Sequence, residues 1–216
     1  LRSPYTSILG ITEILENEYD SLDDAERKNF ISKLARSLNL QYELVNNLLK
    51  WIMLQTDKIS AEPVLVDLST IVQGVLDIYT NPAEAKSISI TTDIPDNCIV
   101  YADKSMTETI IRNLVSNAIK FTSARGNITL RAVTEENQII LTIADTGIGM
   151  SEEVLHKLFV QNSTYTSRGT KGEKGSGFGL VMIREMIEKL NGTFAVQSKP
   201  GEGTTFTITL PKPEES

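Results

Sequence analysis

The apolar rhythm of this chain changes once, and the change divides it in two. Up to about residue 56, hydrophobic residues recur three and four apart. After Pro63 they do not. Ile8, Ile11 and Leu15 open the helical pattern, and a polar stretch over residues 16–24 interrupts it. Phe30, Leu34, Leu38, Gln41, Val45, Leu48 and Ile52 resume it, with Gln41 the single polar member. Ile31, Leu44 and Leu49 widen the apolar face beyond what one short partner helix can cover. Two such helices hide that face best by pairing with two more, as a dimeric four-helix bundle. An intramolecular hairpin packed on the second half is the simpler alternative. Residues 57–63 read as a linker with Pro63 as punctuation. The domains expected are therefore 1–60 and 61–216.

The second half mixes periods. A helix is expected from Leu68 to about Ala85, troubled near its end by Asn81-Pro82. Ile88, Ile90 and Thr92 alternate as a strand, and residues 99–101 form a second short one. Asp103 is a suitable N-cap for a helix reaching Phe121. Residues 128–133 and 139–143 alternate as a hairpin. Residues 151–158 and 180–190 read as helices, the second stopped by Asn191-Gly192. Residues 194–196 and 206–210 close the chain as strands. The expected class is α+β, with helices on one face of a mainly antiparallel sheet.

Composition excludes some functions. The formal net charge is −7 and the sequence pI about 4.9, so nucleic acid is not expected as a partner. Cys98 is alone and cannot form an internal disulfide; a reducing compartment and a cytoplasmic location fit it. No apolar run approaches the roughly 18 residues of a membrane span. The chain starts at Leu1 inside a helical pattern, so an upstream part is expected. Membrane attachment would come only through segments absent here.

Four motifs lie in order along the second half. In the first, Asn113, Asn117 and Lys120 are spaced by four and three and share one helix face. Two amides and an ammonium there could meet phosphates and a hard cation; Mg²⁺ prefers oxygen ligands such as a carboxamide oxygen. A plain solvated helix face would show the same stripe. The second is Asp145-Thr146-Gly147-Ile148-Gly149-Met150 after a strand. A carboxylate at a strand end can accept from an exocyclic amino group, and the glycines let backbone approach a flat ring; an ordinary turn is the alternative. The third contains Gly172, Gly175, Gly177, Gly179 and Leu180 just before a helix. Glycine-rich backbone there can cradle phosphate, although neither the Walker A nor the dinucleotide spacing fits. Residues 161–174, with Arg168, Lys171 and Lys174, read as a mobile lid. The fourth runs from Gly201 to Phe206, where period-two geometry puts Thr204 on the face of Phe206, toward any pocket there.

Together, in this order, the motifs resemble the N, G1, G2 and G3 boxes of histidine-kinase ATP-binding domains, members of the GHKL (Bergerat) superfamily. The resemblance covers residues 64–211 and implies an α/β sandwich binding ATP and Mg²⁺. It implies Asn117 as the Mg²⁺ ligand, Lys120 on the phosphates and Asn113 beside them. It implies Phe121 near adenine and Asp145, with Gly147 and Gly149, reading its amino group. Gly175, Gly177 and Gly179 correspond to the hinge below the lid, with Leu180 after it and Thr204 in the pocket wall. Residues 1–4 resemble those that follow the phospho-acceptor histidine in dimerisation helices. The architecture implied is the cytoplasmic core of a sensor histidine kinase: a homodimer that passes phosphate to a protein histidine and on to a response-regulator receiver.

The chain departs from that pattern in places. The acceptor histidine and its acidic neighbour are expected just before Leu1, and the only histidine, His156, reads as a surface residue. A second Phe expected shortly after Phe159 is replaced by Val160, Gln161 and Asn162. Ser3 stands where relatives carry Thr or Asn for phosphatase activity. Asn113 stands where ATP-hydrolysing and serine-phosphorylating relatives carry a basic Glu; a neutral imidazole acceptor needs less help. A degenerate nucleotide-binding dimerisation module and a GHKL ATPase or serine kinase are the alternatives.

Overall fold

The computed structural model describes residues 2–56, 60–159, 169–173 and 177–213. They fall into two compact units, Leu1–Lys50 and Trp51–Ser216.

Helix α1 (Arg2–Asn17) leads through a short 3-10 turn (Tyr19–Ser21) to the long helix α2 (Asp24–Gln55), which belongs to the first unit up to Lys50. Asp23 and Glu26 make a capping box at the start of α2. The Glu26 N–H donates to Asp23 Oδ1 at 2.7 Å, and the Asp23 N–H donates to Glu26 Oε2 at 3.1 Å. Arg27 locks the turn from the other side, donating to the Tyr19 carbonyl and lying over its ring. Much of the apolar face stays open: Leu9 is 61% exposed, Ile31 55%, Leu38 51% and Leu49 53%.

The second unit is a mixed sheet with helices. Strands β1 (Val64–Asp67) and β3 (Ile99–Ala102) form an antiparallel pair. Strand β1 has no counterpart in the sequence reading, because only Val66 of its four residues is buried and no alternation shows. The main sheet holds β2 (Ser89–Asp93), β4 (Asn127–Thr134), β5 (Gln138–Asp145), β6 (Thr193–Lys199) and β7 (Gly203–Pro211). Their order is β2-β4-β5-β7-β6. It is antiparallel except for β2 and β4, which run parallel. Ile139, Leu141 and Ile143 alternate into the core with Ile128, Leu130, Phe206 and Ile208. Burying each such side chain contributes about 1.5–3 kcal/mol.

Four helices complete the unit: α3 (Leu68–Glu84), α4 (Lys104–Phe121), α5 (Glu152–Phe159) and α6 (Gly179–Lys189). Helix α4 packs on α3, α6 and β5. Its Ile110, Ile111, Leu114 and Val115 are buried, as are Ile183 and Ile187 of α6. Asp103 caps α4 by accepting from Met106 N, and Asp67 caps α3 by accepting from Ser69 N. The hydrogen bond from the Ser69 hydroxyl, foremost, holds the Asp67 carboxyl below its usual range. Pro82 lies in the last turn of α3, which runs on to Glu84. Among the described residues no helix is long and apolar enough to cross a membrane.

Candidate functional site

The burial of α4 divides it as its spacing predicts. Ile111, Leu114 and Val115 are fully buried, while Asn113, Asn117 and Lys120 are half-buried on the opposite stripe. The Asn113 amide donates through Nδ2 to the Thr109 carbonyl at 2.8 Å. That leaves Oδ1 facing Gly179, 3.3 Å from where a Cβ there would stand. The Asn117 side chain makes no hydrogen bond to a described residue. The Lys120 ammonium lies 4.6 Å over the ring of Phe121. Burial lowers the Lys120 pKa, the Glu173 carboxylate opposes that, and the charge of Lys86 adds to it.

Asp145 ends β5 at 8% exposure. Its Oδ1 accepts the Gly147 N–H at 2.8 Å. Burial pushes its carboxyl up to about 6, against the pull of the Gly147 and Thr204 N–H groups. A Cβ on Gly147 would stand 2.5 Å from the Phe121 carbonyl oxygen and 2.6 Å from Asp145 Oδ1. The Phe121 carbonyl and the Asp145 carboxylate keep these positions only because residue 147 has no side chain. Gly149 (φ 64°) and Gly203 (φ 104°) have left-handed backbones, and a Cβ on either would overlap a neighbouring carbonyl, of Lys199 and Asp145 respectively.

Backbone hydrogen bonds bring the motifs together. The Ile148 N–H donates to the Phe121 carbonyl at 3.1 Å, and the Gly201 N–H donates to the Ile148 carbonyl at 2.8 Å. Thr204, 8% exposed, pairs with Asp145 across β5 and β7. Its Oγ1 lies 2.9 Å from Ser198 Oγ. Ser198 donates to the Gly203 carbonyl and accepts from Met150 N. The sequence reading did not include Ser198, although its place on β6, in step with Phe194 and Val196, is a period-two signal.

The third motif is described in part. Gly175 lies outside the described residues, as do Arg168 and Lys174. Gly177 has φ 77°, and Gly179 begins α6, whose N-cap, Phe178, makes no side-chain capping bond. Open N–H groups at such a terminus suit an anion. The Leu180 side chain turns instead to a small apolar crevice with Leu158, Val181, Phe194, Val196 and Phe206.

Of the expected lid, residues 161–168 and 174 lie outside the described residues, and residues 169–173 are tied to the body of the unit. Thr170 donates to the Lys120 carbonyl through N at 3.0 Å and to the Thr122 carbonyl through Oγ1 at 3.0 Å. Lys171, expected to reach for phosphate, donates to the Ala85 carbonyl at 2.9 Å. The sequence reading also missed Lys86, buried beneath this segment at 6% exposure.

The donor set fits a nucleotide with a hard cation. A buried carboxylate acceptor sits beside a required glycine, an ammonium lies at the C-terminal end of α4, a helix N-terminus stands by Asn113, and two carboxamides share one stripe. Among the described residues no cluster of three His, Cys, Asp or Glu could hold a metal alone. A cation here would depend on amide oxygens together with the ligand's own.

Residues 102–214 match the family of histidine kinase-, DNA gyrase B- and HSP90-like ATPases. Over 97% of its length the chain is 31% identical to the sensor histidine kinase YcbM of Bacillus subtilis, covering 68% of that protein. It is also 31% identical over 98% of its length to the non-motile and phage-resistance protein of Caulobacter vibrioides, but spans only 26% of it. Among solved structures, the histidine kinase AdeS of Acinetobacter baumannii superposes with a TM-score of 0.80 at 21% identity, covering 98% of this chain and 96% of that one. Histidine kinase ThkA in complex with the response regulator TrrA gives 0.77 at 20% identity, covering 98% and 58%.

Proposed function

This chain belongs to the sensor histidine kinases of the histidine kinase-, DNA gyrase B- and HSP90-like ATPase family, and we propose that it binds Mg-ATP and delivers the γ-phosphoryl group to a protein histidine. The observation that carries this reading is the convergence of Asp145, Gly147 and Phe121 at one point and of Asn113 and Gly179 at another.

Asp145 accepts the exocyclic amino group of adenine, and Phe121 stacks beside the base. Lys120 and the N-terminal amides of α6, with Gly175, Gly177 and Gly179, take the phosphates. Asn117, assisted by Asn113, offers its amide oxygen to Mg²⁺, which when bound neutralises phosphate charge. Thr204, held by Ser198, completes the wall beside Asp145. Phosphoryl transfer of this kind depends on positioning and charge neutralisation. The position of Asn113 supplies no carboxylate base, and a neutral imidazole acceptor already has a lone pair.

The acceptor histidine belongs to a segment this chain does not contain, since His156 is exposed on α5, beyond the adenine loop. The open faces of α1 and α2 support a homodimer through a four-helix bundle. A response-regulator aspartate is the onward acceptor, in line with the partner named in the ThkA complex.

Base choice tests the reading. Guanine presents a carbonyl where adenine presents an amino donor, and a desolvated acceptor-acceptor clash costs about 1–3 kcal/mol, roughly 5- to 150-fold in affinity. Calorimetry is expected to show Mg-ADP binding tighter than Mg-GDP by that margin. Equal binding of the two would remove Asp145 from this role.

A further inference from the structure

Lys86 is a buried cation that belongs to none of the four motifs. Its Nζ lies 2.8 Å from the Ile119 carbonyl, 3.1 Å from the Lys120 carbonyl, 2.9 Å from Thr170 Oγ1 and 2.7 Å from Glu173 Oε1. An ammonium has three hydrogens, so these four acceptors engage all of them. Two of the acceptors are carbonyls that α4 leaves open at its C-terminus, the negative end of the helix dipole. That end carries Lys120 and Phe121.

The fourth acceptor is the more telling. Glu173 keeps its other oxygen on the Lys171 N–H at 2.8 Å. Its carboxylate also flanks Lys120. Glu173 Oε2 is 2.5 Å, and Lys120 Cγ 2.6 Å, from the point where a Cβ on Gly169 would stand. Two cations therefore stand near one carboxylate. The one that pairs with it is Lys86, which is buried and has no solvent to turn to.

We propose that Lys86 is a positioning residue of the nucleotide site, holding the Glu173 carboxylate off the Lys120 ammonium so that Lys120 stays open to phosphate oxygens. This rests on the reading of Lys120 as a phosphate ligand. Carboxylate and phosphate oxygens compete for the same donor by the same chemistry. Without Lys86, the Glu173 carboxylate is left to the field of Lys120, with which it already interacts, and an arriving nucleotide has to displace an internal anion.

Calorimetric titration of the full 216-residue chain with Mg-ATP tests this. Lys86→Met is expected to weaken binding about tenfold. Adding Glu173→Gln to that variant is expected to recover most of the loss, because the competing charge is gone. Glu173→Gln alone is expected to tighten binding about two- to threefold. If Lys86 and Glu173 were merely a structural clasp, Glu173→Gln would weaken binding and the double variant would be no better than Lys86→Met. Either result overturns the proposal. Should Lys86→Met not fold by circular dichroism, Glu173→Gln decides alone: tighter binding supports the proposal, and equal or weaker binding overturns it. Absence of Mg-ATP binding by the wild type would instead overturn the nucleotide reading itself. Wild-type binding with indistinguishable variants would sink only the role of Lys86.

Discussion

Asp145 and Thr204 stand directly opposite each other on β5 and β7, both 8% exposed, one rung beyond the pair of Thr205 with Ala144. The core rows of the two strands, Ile143 and Phe206 among them, continue into these two polar residues without a break in period. A surface built to pack thus ends in two buried polar residues, and the first prediction concerns the acid at that junction.

The pKa of Asp145 rises from 3.8 to about 6, chiefly through burial. A raised acid favours its neutral form in the folded state. Its ionisation therefore costs stability progressively as pH climbs from about 4 to 6, up to about 3 kcal/mol above pH 6. Asp145→Asn should be more stable than the wild type at pH 8 in urea denaturation, and the gap should close toward pH 4. Nucleotide affinity should move the opposite way in the wild type, falling as pH drops through 6 and a proton occupies the acceptor. A gap in stability that does not change with pH would contradict this.

Asn117→Ala is expected to reduce Mg-ATP affinity at least tenfold, with a melting temperature within a degree or two of the wild type, because the Asn117 side chain bonds to no described residue. Nucleotide binding measured without Mg²⁺ should change far less. Equal losses with and without the metal would mean that Asn117 touches the nucleotide itself.

Ser87 has φ 56°, a left-handed backbone held between the Glu84 carbonyl, which accepts its N–H, and Arg125, which donates to its carbonyl. A non-glycine residue there carries about 1–2 kcal/mol of strain, partly offset by the entropy a glycine adds to the unfolded chain. Ser87→Gly should therefore stabilise the protein by about 0.5–1 kcal/mol, seen as a melting temperature roughly 1–4 °C higher. A lower melting temperature would indicate that the serine hydroxyl matters more than its backbone.

Incubated with radiolabelled Mg-ATP, the 216-residue chain should bind nucleotide yet acquire no acid-labile phosphate. Its single histidine, His156, is exposed on α5, the helix that follows the loop assigned to adenine. Fusing upstream residues that supply the expected histidine should create the label, and changing that histidine to Gln should abolish it. Acid-labile labelling of the unextended chain would point to His156 and show the acceptor to be misplaced.

What the sequence made legible is what periodicity and local chemistry encode. Ile139, Leu141 and Ile143 declared β5, and Asp103 declared the start of α4. The order of the glycine motifs declared the family. Strand β1 stayed hidden because Val64 and Leu65 face outward and only Val66 is buried. The parallel pairing of β2 with β4 depends on how α3 and α4 bring distant strands together, which no local pattern records. Lys86 was silent for a similar reason. A lysine before a strand reads as solvated, and its four acceptors lie 33 to 87 residues downstream. Lys171 misled in reverse: a cation in a polar loop suggested phosphate, but it caps the end of α3 at Ala85.

Ile148 uses both of its main-chain groups to tie the end of α4 to the turn between β6 and β7, while its side chain stays largely exposed. A joint made this way is indifferent to side-chain identity. Alanine, lysine or threonine at 148 would preserve it, so a conventional scan would pass over the position as unimportant. Proline alone, having no N–H to give Phe121, would cut it. A position whose side chain leaves this joint untouched is therefore also one where a single backbone donor holds the loop after β5 in place.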